Sequence, residues 1–192
     1  MNSLAVSGIL ILKCDRILAQ VIPDNTLGNE NSIVNSRDAT SDSIEGGALR
    51  GQNLFHSFQE FNVDAGRGVY FANPHAVTNI FSRVTGNNVS NILGTLGVDG
   101  AADLFLINPN GIIFGENASL EVRGSFVATT ASTIGFSENG LFSAISPQSS
   151  VLSINVPLGL QFGTTPGNII NRSISGNING DTNITGSPTG LQ

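Results

Sequence analysis

The chain has 192 residues, enough for one domain with a real core. Only 11% of them are charged, against a usual share of about 25%, while Gly is 23 residues and Asn is about as common. A net charge of -6 and arginines scattered singly argue against nucleic-acid binding, which needs clustered Lys and Arg to neutralise phosphates. The hydrophobic fraction of 40% argues against disorder for most of the chain. Cys14 is the sole cysteine, which excludes a disulfide framework within one chain and a Cys-rich zinc site.

In chain order, residues 4–12 (LAVSGILIL) form an apolar run of signal-peptide length, too short to span a bilayer. The leading region carries no Lys or Arg, and Lys13 to Arg16 interrupt the approach to a cleavage site near Ala19. Residues 1–20 therefore read as an imperfect signal peptide. Residues 21–47 are polar and turn-rich, an entry segment with one or two short strands. Ala48, Leu49 and Arg50 form a short strand bracketed by Gly46-Gly47 and Gly51.

Residues 53–63 (NLFHSFQEFNV) are the most aromatic stretch. Phe55, Phe58 and Phe61 recur near the helical period, whereas Leu54, His56 and Phe58 alternate as a strand does. The glycines and Asn73-Pro74 that follow favour strands, with GVYF at 68–71 and NIFSRV at 79–84 as further ones. Gly94 and Gly97 suit bends between short strands in residues 92–98. Residues 119–130 place Leu120, Val122, Phe126 and Ala128 on one parity, broken at Gly124-Ser125.

Residues 105–115 (FLINPNGIIFG) set two apolar runs around Asn108-Pro109-Asn110-Gly111. Pro109 presets φ, Asn108 is pushed towards extended geometry, and Asn110 and Gly111 tolerate the left-handed region that ends a turn. The reading is strand, tight turn, strand, with both strands buried. In the tail, Ile170, Ile174, Ile178 and Ile184 recur among small polar residues. That suits a β-solenoid, in which a few inward aliphatics stack from coil to coil.

Catalytic constellations are absent: the sequence has no Walker loop, dinucleotide fingerprint, HExxH or GxSxG. His56 reads as a packed ring and His75 as a turn residue. Asp99 and Asp103 are the nearest approach to a carboxylate pair and read as solvated turn acids. No catalytic residue, metal ligand or cofactor is expected.

Several blocks together resemble the filamentous haemagglutinin N-terminal domain, also called the two-partner secretion or haemagglutination activity domain. In order they are NLFHSFQEFNV (53–63), GVYF (68–71), RVTG (83–86), SNILG (90–94), NPNGIIFG (108–115) and SFVATTAS (125–132). The resemblance implies an all-β fold, a right-handed parallel β-helix with an N-terminal cap and extra-helical strands. It implies Sec-dependent export to the periplasm and recognition by an outer-membrane β-barrel transporter with periplasmic POTRA domains. The protein would then be secreted or held at the cell surface, and its passenger region would contact glycans or cell surfaces.

By the same resemblance, Asn108, Pro109, Asn110, Gly111 and Ile112 form a secretion motif. The family's other turn has its nearest counterpart at Asn88, Ser90, Asn91, Ile92 and Leu93, where Val89 stands in place of a proline. The domain is placed at 21–165 and the start of the β-helical repeats at 166–192, with the chain read as a truncated, non-enzymatic member. Two other readings compete: a polysaccharide-active β-helix enzyme, whose acids would cluster with Arg67, Arg83 or Arg123, and a structural or adhesive solenoid without transporter recognition.

Overall fold

The computed structural model describes residues 21–174, so the predicted leader at 1–20 and the positions Ile178 and Ile184 lie outside the described residues. Short strands follow one another almost without interruption: β1 (Val21–Pro23), β2 (Ser32–Ser36), β3 (Ser41–Gly46), β4 (Ala48–Arg50), β5 (Asn53–Phe61), β6 (Gly68–Ala72), β7 (Asn79–Val84), β8 (Ser90–Ile92) and β9 (Thr95–Asp99). They continue with β10 (Asp103–Ile107), β11 (Ile112–Phe114), β12 (Ser119–Glu121), β13 (Phe126–Thr129), β14 (Thr133–Phe136), β15 (Leu141–Ser143), β16 (Pro157–Gln161) and β17 (Ile169–Asn171). Among the described residues no helix is long and apolar enough to cross a membrane.

Three parallel ladders run along the molecule. They are β5-β7-β10-β13, β3-β6-β9-β12 and β8-β11-β17. Ladder partners mostly stand one coil apart in sequence, from 22 residues (Ser90 to Ile112) to 27 (Ser41 to Gly68). The chain therefore visits the three faces in turn and stacks each coil on the one before, which makes the fold a parallel β-helix. The predicted strands at Asn53, Gly68 and Asn79 are β5, β6 and β7, and the helical alternative for the aromatic stretch is not taken.

Register fills the interior. Leu54, Ile80, Leu104 and Phe126 occupy successive positions of one ladder. Val69, Leu96 and Leu120 do so in the second, as do Ile44, Phe71 and Val98. These residues belong to one apolar cluster in which most members are fully buried. On the opposite parity, Phe55, Phe81, Phe105 and Ile107 point outward, yet they too are apolar. Phe55, Phe81 and Phe105 stack at 5.2 and 4.6 Å. They are covered by β14 and β15, whose Ile134, Phe136 and Phe142 form a second core with Phe55 and Phe81.

β14, β15 and β16 are antiparallel and stand outside the coils. They occupy the detour between β13 and β17, so β17 reaches its ladder partner β11 only after this insertion. At the other end, β1 and β4 lie antiparallel on the outer edge of β5, and β2 lies on β3. That cap consumes strand edges that would otherwise template pairing with another chain. The entry segment holds three strands rather than one or two, because its polar residues supply hairpin and cap edges that need little apolar patterning.

Two expectations change. Gly97 is not a bend: it lies within β9, and the Tyr70 ring covers it so closely that an added Cβ would sit 2.4 Å from the ring. The bend is Gly94, whose Cβ would collide with the Arg67 and Asp64 carbonyls. In β17, Ile169 pairs with the buried Ile112 and Ile170 with Ile113, but Ile169 is 46% exposed and Ile170 half-buried, so neither is a buried core residue. Ile174 is 58% exposed.

Candidate functional site

The apolar runs of FLINPNGIIFG become β10 and β11. They are not a hairpin, because each joins a different parallel ladder. Asn108-Pro109-Asn110-Gly111 is a corner of the coil. The Gly111 amide closes it by donating to the Asn108 carbonyl (3.1 Å), and Gly111 has φ +127. An L side chain there is strained, and a Cβ would also meet the Asn168 carbonyl at 3.0 Å.

Asn108 is fully buried and all its amide capacity is used. Its Oδ1 accepts from the Asn110 backbone N–H (3.0 Å) and from Asn110 Nδ2 (3.1 Å). Its Nδ2 donates to the Asn88 carbonyl (3.0 Å) and to Ser90 Oγ (2.9 Å). Asn110 Nδ2 also reaches back to the Gly86 carbonyl (2.8 Å). The corner is thus tied to the one beneath it, in the preceding coil. The far side is tied as well: Asn108 N–H donates to Thr129, Gly167 N–H to Pro109, and Ile112 N–H to Asn168.

The two sequence-predicted groups therefore meet. Ser90 and Ile92 are buried, Leu93 is half-buried, and Asn88 and Asn91 are exposed. Asn88 Nδ2 donates to Glu60 Oε1 (2.6 Å), and the Asn91 N–H donates to Asn62 Oδ1 (2.9 Å). Next to this corner is a shallow groove lined by Gln59, Glu60, Asn62, Asn88 and Asn91. The corner works without proline at Val89 because Asn108 of the next coil and Asn62 of the previous one hold its backbone. Within the motif, Asn108, Gly111 and Ile112 are buried, and Pro109 and Asn110 remain half-exposed.

Sequence reasoning gave Arg83 a place in a matching block and in the competing enzyme reading, but the structure makes it a structural hub. It is fully buried at 0% exposure. Nε donates to Ser57 Oγ (2.9 Å), Nη2 to Thr26 Oγ1 (2.8 Å), and Nη1 to both the Ser143 carbonyl (2.7 Å) and Ser150 Oγ. Its guanidinium also lies 4.5 Å from the Phe142 ring centre. Asp24 is linked to it through Thr26 and Ser57 rather than by direct contact. Burial pushes the Arg83 pKa down to about 10, with the Asp24 charge opposing. Burial would raise Asp24, but hydrogen bonds from Thr26, Thr85 and Ser57 outweigh it and leave its pKa below the usual carboxylate value. The sequence signal was available: an arginine alternating with inward Ser82 and Val84 in a strand.

His56 is a packed ring, 0% exposed, with Nδ1 3.0 Å from Ser32 Oγ and Nε2 without a partner. Burial lowers its pKa to about 3. His75 is an exposed turn residue. Asp99 and Asp103 act separately. Asp99 pairs with Arg37 at 2.9 Å, and Asp103 accepts the Ser125 amide at 2.6 Å. Arg67 pairs with Asp42 at 3.1 Å. Among the described residues no group of three His, Cys, Asp or Glu could hold a metal ion.

Residues 19–187 match the family described as the TPS secretion domain. A heme/hemopexin-binding protein of Haemophilus influenzae is 39% identical over 83 residues, 43% of this chain and 9% of that protein. A second heme/hemopexin-binding protein of that species is 34% identical over 82 residues, 43% of this chain and 8% of its own length. The chain thus matches under a tenth of the length of either relative. Because the family match runs along nearly all of it and encloses the whole coil stack, this chain belongs to the TPS secretion domain family.

Proposed function

We propose that residues 21–165 are the export-targeting domain of a secreted β-helical, adhesin-like protein, that the repeat region begins at 166–192, and that an outer-membrane β-barrel transporter recognises the domain. The family match carries this reading. The leader delivers the chain through Sec to the periplasm, and POTRA domains of the transporter receive it there. Strand edges of the incompletely folded chain augment a POTRA sheet edge, so that backbone groups supply affinity. Outside the cell, each coil folds on the previous one, which favours forward movement without ATP. The protein then remains secreted or at the cell surface and does its work without catalysis.

In this reading, Asn108, Pro109, Asn110, Gly111 and Ile112 fix the corner around which the coils stack, with Asn88, Ser90, Asn91, Ile92 and Leu93 as its seat. The burial of Asn108, Gly111 and Ile112 favours a motif that holds the recognised fold over one touched by the transporter.

Gly111→Val tests the assignment. At φ +127 it strains the corner by about 1–3 kcal/mol. Co-expressed with the cognate transporter, a reporter fused behind the variant domain should accumulate in the cell and fall in the medium. Undiminished secretion by a variant with the strained corner would remove the motif from the mechanism.

A further inference from the structure

We propose that Arg83 is a three-way tie that makes docking of the extra-helical β14–β16 sheet conditional on seating of the N-terminal segment at residues 24–27, and the reverse. The guanidinium presents its donors in a rigid planar fork. Here that fork spans three pieces of chain distant in sequence. Thr26 belongs to the loop after β1, Ser57 to the first long strand, Ser143 to β15 and Ser150 to the connection between β15 and β16. Thr26 and Ser57 are themselves joined by a 2.8 Å hydroxyl contact and share Asp24 as acceptor.

A buried cation is stabilised only when its hydrogen bonds are made, and its solvation is lost regardless. If the extra-helical sheet lifts away, Arg83 loses both Nη1 acceptors and the face of Phe142. If residues 24–27 lift away, it loses the Nη2 acceptor and the nearby Asp24 charge. Either opening leaves a partly satisfied cation that weakens the remaining attachment. Thr26 makes no hydrogen bond to the extra-helical sheet among the described residues, so the hydrogen-bonded link between the two runs through the arginine.

Amide hydrogen exchange on the purified chain tests this. Thr26→Val should speed exchange in β14–β16 about tenfold, and Ser150→Ala should do the same for residues 24–27, while β7 and β10 stay protected. Leu27 also packs against the second core, so a purely mechanical route must be separated. In an Arg83→Lys background, Thr26→Val should no longer affect β14–β16. Equal acceleration in that background overturns the proposal, because coupling then runs through Leu27. Acceleration confined to the mutated segment, or uniform across all strands, overturns it as well. If Arg83→Lys does not fold, Ser150→Ala takes its place in the cycle with Thr26→Val: strictly additive effects on β15 count against the tie and non-additive effects support it.

Discussion

Asn108 shows what one side chain contributes. Its amide joins its own corner to the corner beneath, with both heads fully used and no access to solvent. Removing it leaves the Asn88 carbonyl and the Asn110 amide without their partners. Asn108→Ala should therefore cost about 2–4 kcal/mol in urea-unfolding stability, more than one hydrogen bond, because desolvated groups remain unpaired. Asn110→Ala, at a half-exposed position where water can replace the lost bonds, should cost about 1 kcal/mol or less. The turn was legible in the sequence, since Pro and Gly declare themselves locally. The downward reach of Asn108 was not, because nothing in a local pattern states which residue lies one coil below. Arg83 escaped for the same reason: its four acceptors come from positions 26, 57, 143 and 150.

Among the strands, β16 departs furthest from the burial of apolar residues. Leu158 and Leu160 are exposed at 69% and 42%, and Val156 and Phe162 extend the row on the same parity. β16 pairs with β14 on one side and with no other strand among the described residues. Between Arg123 and Arg172 the only charged residue is Glu138, so the edge lacks the charges that usually discourage strand pairing. Leu158→Lys should reduce self-association in concentrated solution, measured by light scattering, while shifting unfolding stability by less than about 0.5 kcal/mol. The interior strands were readable as short apolar runs between Gly and Asn turns rather than from alternation, since β5, β7 and β10 meet a core on both faces. The extra-helical sheet carries a mixed pattern, since β14 is buried and β16 is not, and periodicity alone left residues 133–161 without an assignment. Gly97 misled for a related reason: a glycine that makes room for a ring looks the same in sequence as one that bends a chain.

For the molecule as a whole, the parallel coil architecture was accessible through short strands, Gly/Asn corners and the ordered blocks of the family, and the solenoid followed from repetition of one solution. Acid sensitivity also belongs to this scale. His56 has a native pKa of about 3 against an ordinary value near 6.5, so the unfolded chain binds a proton that the native chain refuses. Stability is complete above about pH 6.5 and falls with decreasing pH towards 3, at up to about 1.4 kcal/mol per pH unit. Asp24, with its depressed pKa, adds a further loss as pH falls below its ordinary value of 3.8. Chemical denaturation at a series of pH values should show this slope between 6 and 4, and His56→Gln should flatten it.

The detour that separates β13 from β17 also sets a timetable. Ile112 finds its lower partner Ser90 after 22 residues, but waits until Ile169, 57 residues on, for its upper one. Loop closure costs only about 0.6 kcal/mol more for each doubling of length, so the delay is thermodynamically slight. In a chain delivered from its N-terminus, however, the lower coils can close while the third ladder still lacks its last strand. Until residue 169 arrives, β11 offers an open edge, and the Ile112 N–H and the Pro109 carbonyl at the Asn108 corner have yet to meet Asn168 and Gly167. Delivery in that order leaves the coils wound below and unlatched above until residue 169 has emerged.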